Sequence, residues 1–254
     1  MESVQTSERV LNLEGCRNFR DLGGYATAGG RRVRWGRLYR SGSMSGFSEA
    51  AYAQLASLGV RAICDLRTTM ERDAQPVDWR RVPDLSYWAR DYDMSFGDLR
   101  EVLASDLPTA ERARASMVSA YRQLPFEQAP AYAELFRALA AGELPLVFNC
   151  SAGKDRTGVA AALILRVLEV PEATIVEDYL LSNDAYDRAA SVTAERMSAL
   201  GPGIVDAVMG VDASYIHAAL AAVDAAHGSV EAYLETRLGV GPREVDQIRG
   251  HLLE

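Results

Sequence analysis

Short apolar runs bounded by turn residues alternate along this chain with longer segments whose apolar residues recur at helical spacing. LPLVFNC (144–150) is the clearest of the first kind and reads as a buried parallel strand. VRAICDLR (60–67) has the same character and ends in charged residues, and DLSYWARDYD (84–93) is a further strand candidate. Of the second kind, SEAAYAQLASLG (48–59) is predicted to be a helix capped by Ser48, with Ala51, Leu55 and Leu58 as its stripe and Gly59 as its stop. TAERARASMVSAYRQL (109–124) and EQAPAYAELFRALAAG (127–142) are two more, the second closed by Gly142. RTGVAAALILRVLEV (156–170) is apolar on nearly every face, which predicts a helix with no solvent side. Residues 17–42 read as turns and short strands punctuated by Gly23, Gly24, Gly29 and Gly30, with Arg20 and Asp21 as a structural pair. Beyond Glu172 the pattern is almost wholly helical, with breaks near 201–203, 210 and 239–242. Strands alternating with helices predict an α/β fold: a mainly parallel central sheet flanked by helices, in one domain over 1–254, with a helical C-terminal extension.

Charge narrows the partners. A net charge of −8 argues against broad binding to nucleic acid or anionic membranes, so an anionic substrate would need a local positive site. The three cysteines, Cys16, Cys64 and Cys150, form no disulfide framework. The three histidines, His217, His227 and His251, lie late in the chain without zinc-ligand spacing and are assigned to helix surfaces; no metal or cofactor is expected. MESVQTSERV lacks the apolar core of a signal peptide, and VAAALIL (159–165) is too short to span a bilayer. The expectation is a cytoplasmic protein without membrane insertion, non-classical secretion being left open.

The chemistry concentrates at NCSAGKDRTG (149–158), between the apolar strand and the buried helix. A loop there aims backbone N–H groups and a helix N-terminus at whatever it encloses. It is not a Walker A loop: Phe148 stands where the first glycine belongs, and Asp155 follows Gly153-Lys154. Five residues separate Cys150 from Arg156. A loop of that length can curl so that the arginine fork faces an anion resting above the sulfur. The N–H groups of Ser151, Ala152, Gly153 and Lys154 would take the other oxygens. The same groups would stabilise a thiolate, and Thr157 can donate a hydrogen bond to the sulfur as it leaves.

CSAGKDRTG resembles the signature loop of the cysteine-dependent protein tyrosine phosphatases, and its Gly-Lys-Asp-Arg-Thr-Gly form is similar to the atypical bacterial branch of tyrosine and lipid phosphatases. NFRDLGGY (18–25), LYRSG (38–42), CDLR (64–67), EDYLLSN (177–183) and GSVEAYLETRLGV (228–240) also look like that branch, so the resemblance covers nearly the whole chain. It implies the cysteine-dependent phosphatase fold, Cys150 as nucleophile and Arg156 as phosphate clamp. It further implies Lys154 and Asp155 as a distinctive loop pair, substrates among phosphoproteins or phosphoinositides, and a helical lid over the site, here placed at 172–210. One departure is Asn149, where the family has His directly before the cysteine.

The leaving alcohol needs a proton. No Trp-Pro-Asp tripeptide is present; Val82-Pro83-Asp84 is the nearest and reads as a turn before a strand. Asp155, within the cradle, is the candidate general acid, as the resemblance to the bacterial branch suggests, with loop bracing as its alternative role. Asp65 and Arg67, at a strand's C-terminal end, either contact substrate or brace the loop. Tyr87, Trp88 and Tyr92 either wall a ring-sized pocket or join the core, and Cys64 either traps an oxidised Cys150 or is a buried strand cysteine. Three other functions stay open: an inositol-polyphosphate phosphatase, a sulfurtransferase, and an inactive phosphate-binding pseudophosphatase.

Overall fold

The computed structural model describes residues 9–94, 109–185 and 201–254. In chain order these form β1 (Arg20–Asp21), β2 (Leu38–Ser41), α1 (Glu49–Ser57), β3 (Ala62–Asp65), α2 (Thr69–Ala74), β4 (Ser86–Ala89), α3 (Ala110–Glu127), α4 (Ala129–Ala141), β5 (Leu146–Asn149) and α5 (Asp155–Val167). There follow α6 (Glu172–Leu180), α7 (Pro202–Met209), α8 (Ala213–His227), α9 (Val230–Tyr233) and α10 (Pro242–Leu252).

The sheet order is β1-β2-β5-β3-β4; β1 runs antiparallel to β2 and every other pairing is parallel. This is the mainly parallel α/β architecture expected from the pattern. Ser41, Asn149, Asp65 and Ala89 are level with one another across the sheet. The four parallel strands thus end together, at the edge where α/β proteins build their sites.

Alternation along each strand decides which layer a side chain joins. Leu146, Phe148, Ala62 and Cys64 enter the larger core, which also holds the apolar faces of α3, α4, α5, α8 and α10. Val147 and Ile63 enter the smaller one, closed by Leu13, Phe19, Tyr39 and the Ala51, Tyr52 and Leu55 face of α1. In α5 every residue from Val159 to Leu165 is at most 1% exposed, which is why that helix has no polar side.

The hydrophobic pattern gives no element between 67 and 84, yet α2 forms there. Thr68 Oγ1 accepts from the Glu71 N–H at 3.2 Å and Glu71 Oε2 accepts from the Thr68 N–H at 2.7 Å, a reciprocal capping box. The helix has no buried residue, so periodicity has nothing to register.

The expected Arg20–Asp21 pair does not form, because successive strand residues point to opposite faces. Arg20 instead binds Asp178 of α6, Nε to Oδ1 at 3.0 Å. Arg40 of β2 takes the other oxygen at 2.6 Å, and the Tyr25 hydroxyl donates to Oδ1 at 2.9 Å. Asp21 accepts from the N–H groups of Gly23 and Gly36. Burial alone would raise the Asp178 carboxyl, but Arg20, Arg40 and Tyr25 hold it well below the usual carboxylate range. A depressed carboxyl contributes stability above its unfolded value, near pH 4, and loses it as pH falls further. Asp178→Asn should cost about 3 kcal/mol at neutral pH by leaving two buried guanidinium groups uncompensated. Chemical denaturation of both proteins checks this, and the difference should shrink below about pH 4.

Candidate active site

Cys150 stands directly past the end of β5, and the loop from Cys150 to Lys154 joins that strand to the N-terminus of α5. Gly153 makes the turn at φ 69°, and a Cβ there would lie 2.5 Å from the Gly42 nitrogen, so only glycine fits against β2. Scaffold donors hold the loop's carbonyls. The Gly153 oxygen accepts from Asn18 Nδ2 and Arg40 Nη2, both at 2.9 Å. The Ala152 oxygen accepts from Asn18 Nδ2 at 3.3 Å and the Ser151 oxygen from the Ser43 N–H at 3.0 Å. Arg20 fixes Asn18 in turn through its Oδ1. The N–H groups of Ser151, Ala152, Gly153 and Lys154 donate to no group among the described residues. Carbonyls tied back and consecutive amides left over make a cradle for an anion.

Arg156, in the first turn of α5, is 6% exposed. Its Nη1 donates to Glu71 Oε2 at 2.7 Å, to the Leu66 carbonyl at 3.0 Å and to the Tyr92 hydroxyl at 3.1 Å. Its Nη2 donates to Glu71 Oε1 at 2.7 Å. Nε and the second Nη2 hydrogen have no partner among the described residues. One edge of the guanidinium is therefore clamped, and the other keeps the paired donors that match two oxygens of a phosphate. Ser151 Oγ also donates to Glu71 Oε1, at 2.6 Å. Burial alone would push the Glu71 carboxyl up, but Arg156 and Ser151 bring it down to about 2, so it is a carboxylate throughout the neutral range.

Cys150 is 1% exposed and shares the larger core with Leu146 and Phe148. The Thr157 hydroxyl is fully buried and has no partner among the described residues. Asp155 Oδ1 accepts from the Tyr121 hydroxyl at 2.6 Å and lies 3.3 Å from Lys154 Nζ. Lys154 itself is turned inward: Nζ donates to the carbonyls of Val208 at 2.7 Å and Gly210 at 3.2 Å, at the C-terminal end of α7.

The chain matches the tyrosine phosphatase family over residues 11–254. The chain belongs to the tyrosine phosphatase family. A protein of Cupriavidus necator with a provisional tyrosine-protein phosphatase name is 38% identical to this phosphatase, over 96% of the chain and 88% of its own length. The triple specificity protein phosphatase of Mycobacterium tuberculosis is 32% identical over 96% of the chain and 99% of its own length. A tyrosine-protein phosphatase of Nostoc commune is 31% identical over 84% and 73% respectively.

Asn149 of this phosphatase faces the smaller-core side of β5, opposite Cys150. Its Nδ2 donates to Asp65 Oδ1 at 3.2 Å, and its own Oδ1 has no partner among the described residues. Asp65 is completely buried. It accepts from the backbone and guanidinium of Arg67, from the Tyr87 hydroxyl at 3.1 Å and from Asn149. These bonds join the end of β3 to Tyr87 of β4 and to Asn149 at the end of β5. Tyr92 reaches the site, donating to the Leu66 carbonyl at 2.5 Å while accepting from Arg156. Trp88 packs on the larger core and Tyr87 is half exposed.

Cys64 is a free, buried thiol level with Phe148 and so two residues short of Cys150. Burial and the neighbouring Asp65 push it well above the ordinary thiol value, as for an inert core cysteine. Val82-Pro83-Asp84 precedes β4, at the end of the sheet away from Cys150, and makes the expected turn. Of the histidines, His217 is exposed on α8 and lies 3.0 Å from Glu172, while His251 on α10 is bonded to the Leu139 carbonyl. Among the described residues no group of three His, Cys, Asp or Glu is arranged to hold a metal, and no single helix is long and apolar enough to cross a membrane.

One residue at the site to which the sequence analysis did not point is Glu71. Its signal was present as Thr-x-x-Glu at 68–71, a capping box with no apolar stripe behind it. Asn18 and Arg40 were missed as individual residues, although both lie in stretches that resemble the bacterial branch.

Proposed function

We infer that this phosphatase hydrolyses phosphotyrosine, and phosphoserine and phosphothreonine more slowly, through a phosphocysteine intermediate. The observation that carries the reading is the open edge of Arg156, with four unpartnered loop amides, in the strand-loop-helix turn that begins at Cys150. In the first step the Cys150 thiolate attacks phosphorus, the P–O bond to the alcohol breaks, and Asp155 gives its proton to the departing oxygen. In the second, the Asp155 carboxylate takes a proton from a water molecule, the water oxygen attacks phosphorus, and the P–S bond breaks. Inorganic phosphate leaves, and the Thr157 hydroxyl donates to the departing thiolate. No metal takes part in these steps.

The broader substrate range rests on the name of the M. tuberculosis relative. Phosphoinositides rank lower: an ammonium at the rim could reach a second phosphate, but Lys154, the cation of the loop pair, donates instead to the end of α7. The same contact supports a lid role for the α7 end of the 172–210 stretch. Residues 186–200 of that stretch lie outside the described residues, and Glu172–Leu180 is built into the core through Ile175, Asp178 and Tyr179. Asn149 is engaged with Asp65, so its place before the nucleophile does not by itself favour an inactive binding module. Asp155 beside Arg156 at the start of α5 and the family membership count against a sulfurtransferase.

The test is turnover of phosphotyrosine, phosphoserine and phosphothreonine peptides and phosphoinositides in the presence of EDTA. The expected result is fastest release of phosphate from phosphotyrosine, unchanged by EDTA, with acid-quenched enzyme carrying phosphate on Cys150 by mass spectrometry. Absence of turnover on every phosphoester would overturn the assignment.

A further inference from the structure

Two tyrosines from distant helices converge on the loop acid. Tyr121 of α3 donates its hydroxyl hydrogen to Asp155 Oδ1 at 2.6 Å. Tyr179 of α6 donates to the Tyr121 hydroxyl oxygen, also at 2.6 Å. Both rings are at most 1% exposed and meet edge to face, with centroids 6.1 Å apart. Tyr179 is wedged against Gly158, where an added Cβ would sit 2.9 Å from its ring. The Tyr215 ring packs on Tyr121 from α8, at 5.4 Å. Neither hydroxyl is free to turn elsewhere without leaving a buried polar atom unpaired.

Asp155 Oδ1 thus receives the Tyr121 hydrogen and lies near the Lys154 ammonium, while Oδ2 has no partner among the described residues. A carboxyl group whose one oxygen is already an acceptor from a buried donor takes its own proton on the other oxygen. Burial first, and then the Asp155 charge, push the Tyr121 phenol well above its ordinary value, so it stays a donor throughout the working range.

We propose that Tyr121, backed by Tyr179, is a positioning residue for general acid catalysis: it holds Asp155 by Oδ1 so that the proton for the leaving alcohol is carried on Oδ2. This rests on the reading of Asp155 as the acid, and goes beyond it by naming what aims the acid. The strand-loop-helix turn sets the backbone of Cys150, Asp155 and Arg156, and Glu71 and the Leu66 carbonyl hold the Arg156 side chain. For the Asp155 side chain the two hydroxyls play the corresponding part.

The experiment compares kcat/KM for p-nitrophenyl phosphate, whose leaving group departs without a proton, and for phenyl phosphate, whose leaving group needs one. Kinetics are run on the wild type, Tyr121→Phe, Tyr179→Phe, Asp155→Asn and the Tyr121→Phe/Asp155→Asn double variant. Asp155→Asn should lose about 100-fold on phenyl phosphate and far less on p-nitrophenyl phosphate. Tyr121→Phe should show the same split at about 10-fold, Tyr179→Phe at about 3-fold, and the double variant should match Asp155→Asn. A uniform loss on both substrates with Tyr121→Phe, beside an intact split with Asp155→Asn, overturns the positioning role alone. The absence of a split with Asp155→Asn overturns the acid assignment beneath it. If Tyr121→Phe fails to fold, Tyr179→Phe decides: a split supports the chain of hydroxyls and a uniform loss overturns it.

Discussion

Cys150→Ser should lower turnover by at least about 10⁴-fold while leaving vanadate or phosphate binding within a few-fold of wild type. Binding and attack belong to different atoms. The amides of residues 151–154 and the open edge of Arg156 are held through bonds from Asn18 and Arg40 to the Gly153 carbonyl and from Arg156 to Glu71, none of which involves the sulfur. A serine hydroxyl fits the same buried position, so the cradle keeps its shape. It is a far weaker nucleophile at neutral pH, and no base among the described residues hydrogen-bonds to this position to activate it. Titration with vanadate beside steady-state kinetics separates the two effects. Substantial turnover by the serine variant would remove the phosphocysteine mechanism. Loss of vanadate binding in a folded serine variant would show instead that the sulfur itself shapes the cradle.

Arg156→Ala should lower kcat/KM by about 10³-fold, at the upper end of what deletion of a single neutral oxyanion donor costs. Two losses combine. The bidentate donors to the phosphate go, and Glu71 is left facing the cradle without its partner. Glu71 keeps the Thr68 N–H and the Ser151 hydroxyl, so it stays near the incoming dianion. With the guanidinium in place its carboxyl is held down to about 2, and that hold is present above the ordinary carboxylate value and is lost as pH falls below about 4. Without the guanidinium the remaining carboxylate repels phosphate at neutral pH. The Glu71→Ala/Arg156→Ala double variant should therefore bind vanadate better than Arg156→Ala alone. Glu71→Ala by itself should cost about 10-fold, because the fork remains but is no longer locked at one edge. Equal vanadate affinity in Arg156→Ala and the double variant would show that Glu71 exerts no such repulsion.

Much of the site was legible because its parts are contiguous. LPLVFNC supplies the strand, CSAGKDR the turn and RTGVAAALIL the buried helix, so the position of Cys150 against Arg156 follows from local geometry. The same holds for the alternation of strand and helix, since a period of two or of 3.6 records which side of an element is buried. That record says nothing about which element lies against it. Arg20 and Asp178 are separated by 158 positions, and Arg156 and Glu71 by 85. No local period links such pairs, and only the order β1-β2-β5-β3-β4 brings them together.

Asn149 illustrates the boundary. Its place at the strand end predicts a side chain bonded to the loop backbone, but β3 is the neighbour of β5, so its level partner is Asp65, whose carboxylate takes the bond instead. Lys154 is another case: a lysine in an anion loop suggests a cation facing substrate, and the carbonyls ending α7, more than fifty positions later, draw it inward. The sequence by itself determined the fold class and placed the candidate nucleophile, clamp and acid in one strand-loop-helix turn, because each depends on residues close together in the chain. Only the tertiary structure decided what holds the clamp, what aims the acid and what backs the loop, because those side chains come from other strands and helices whose order no hydrophobic period encodes.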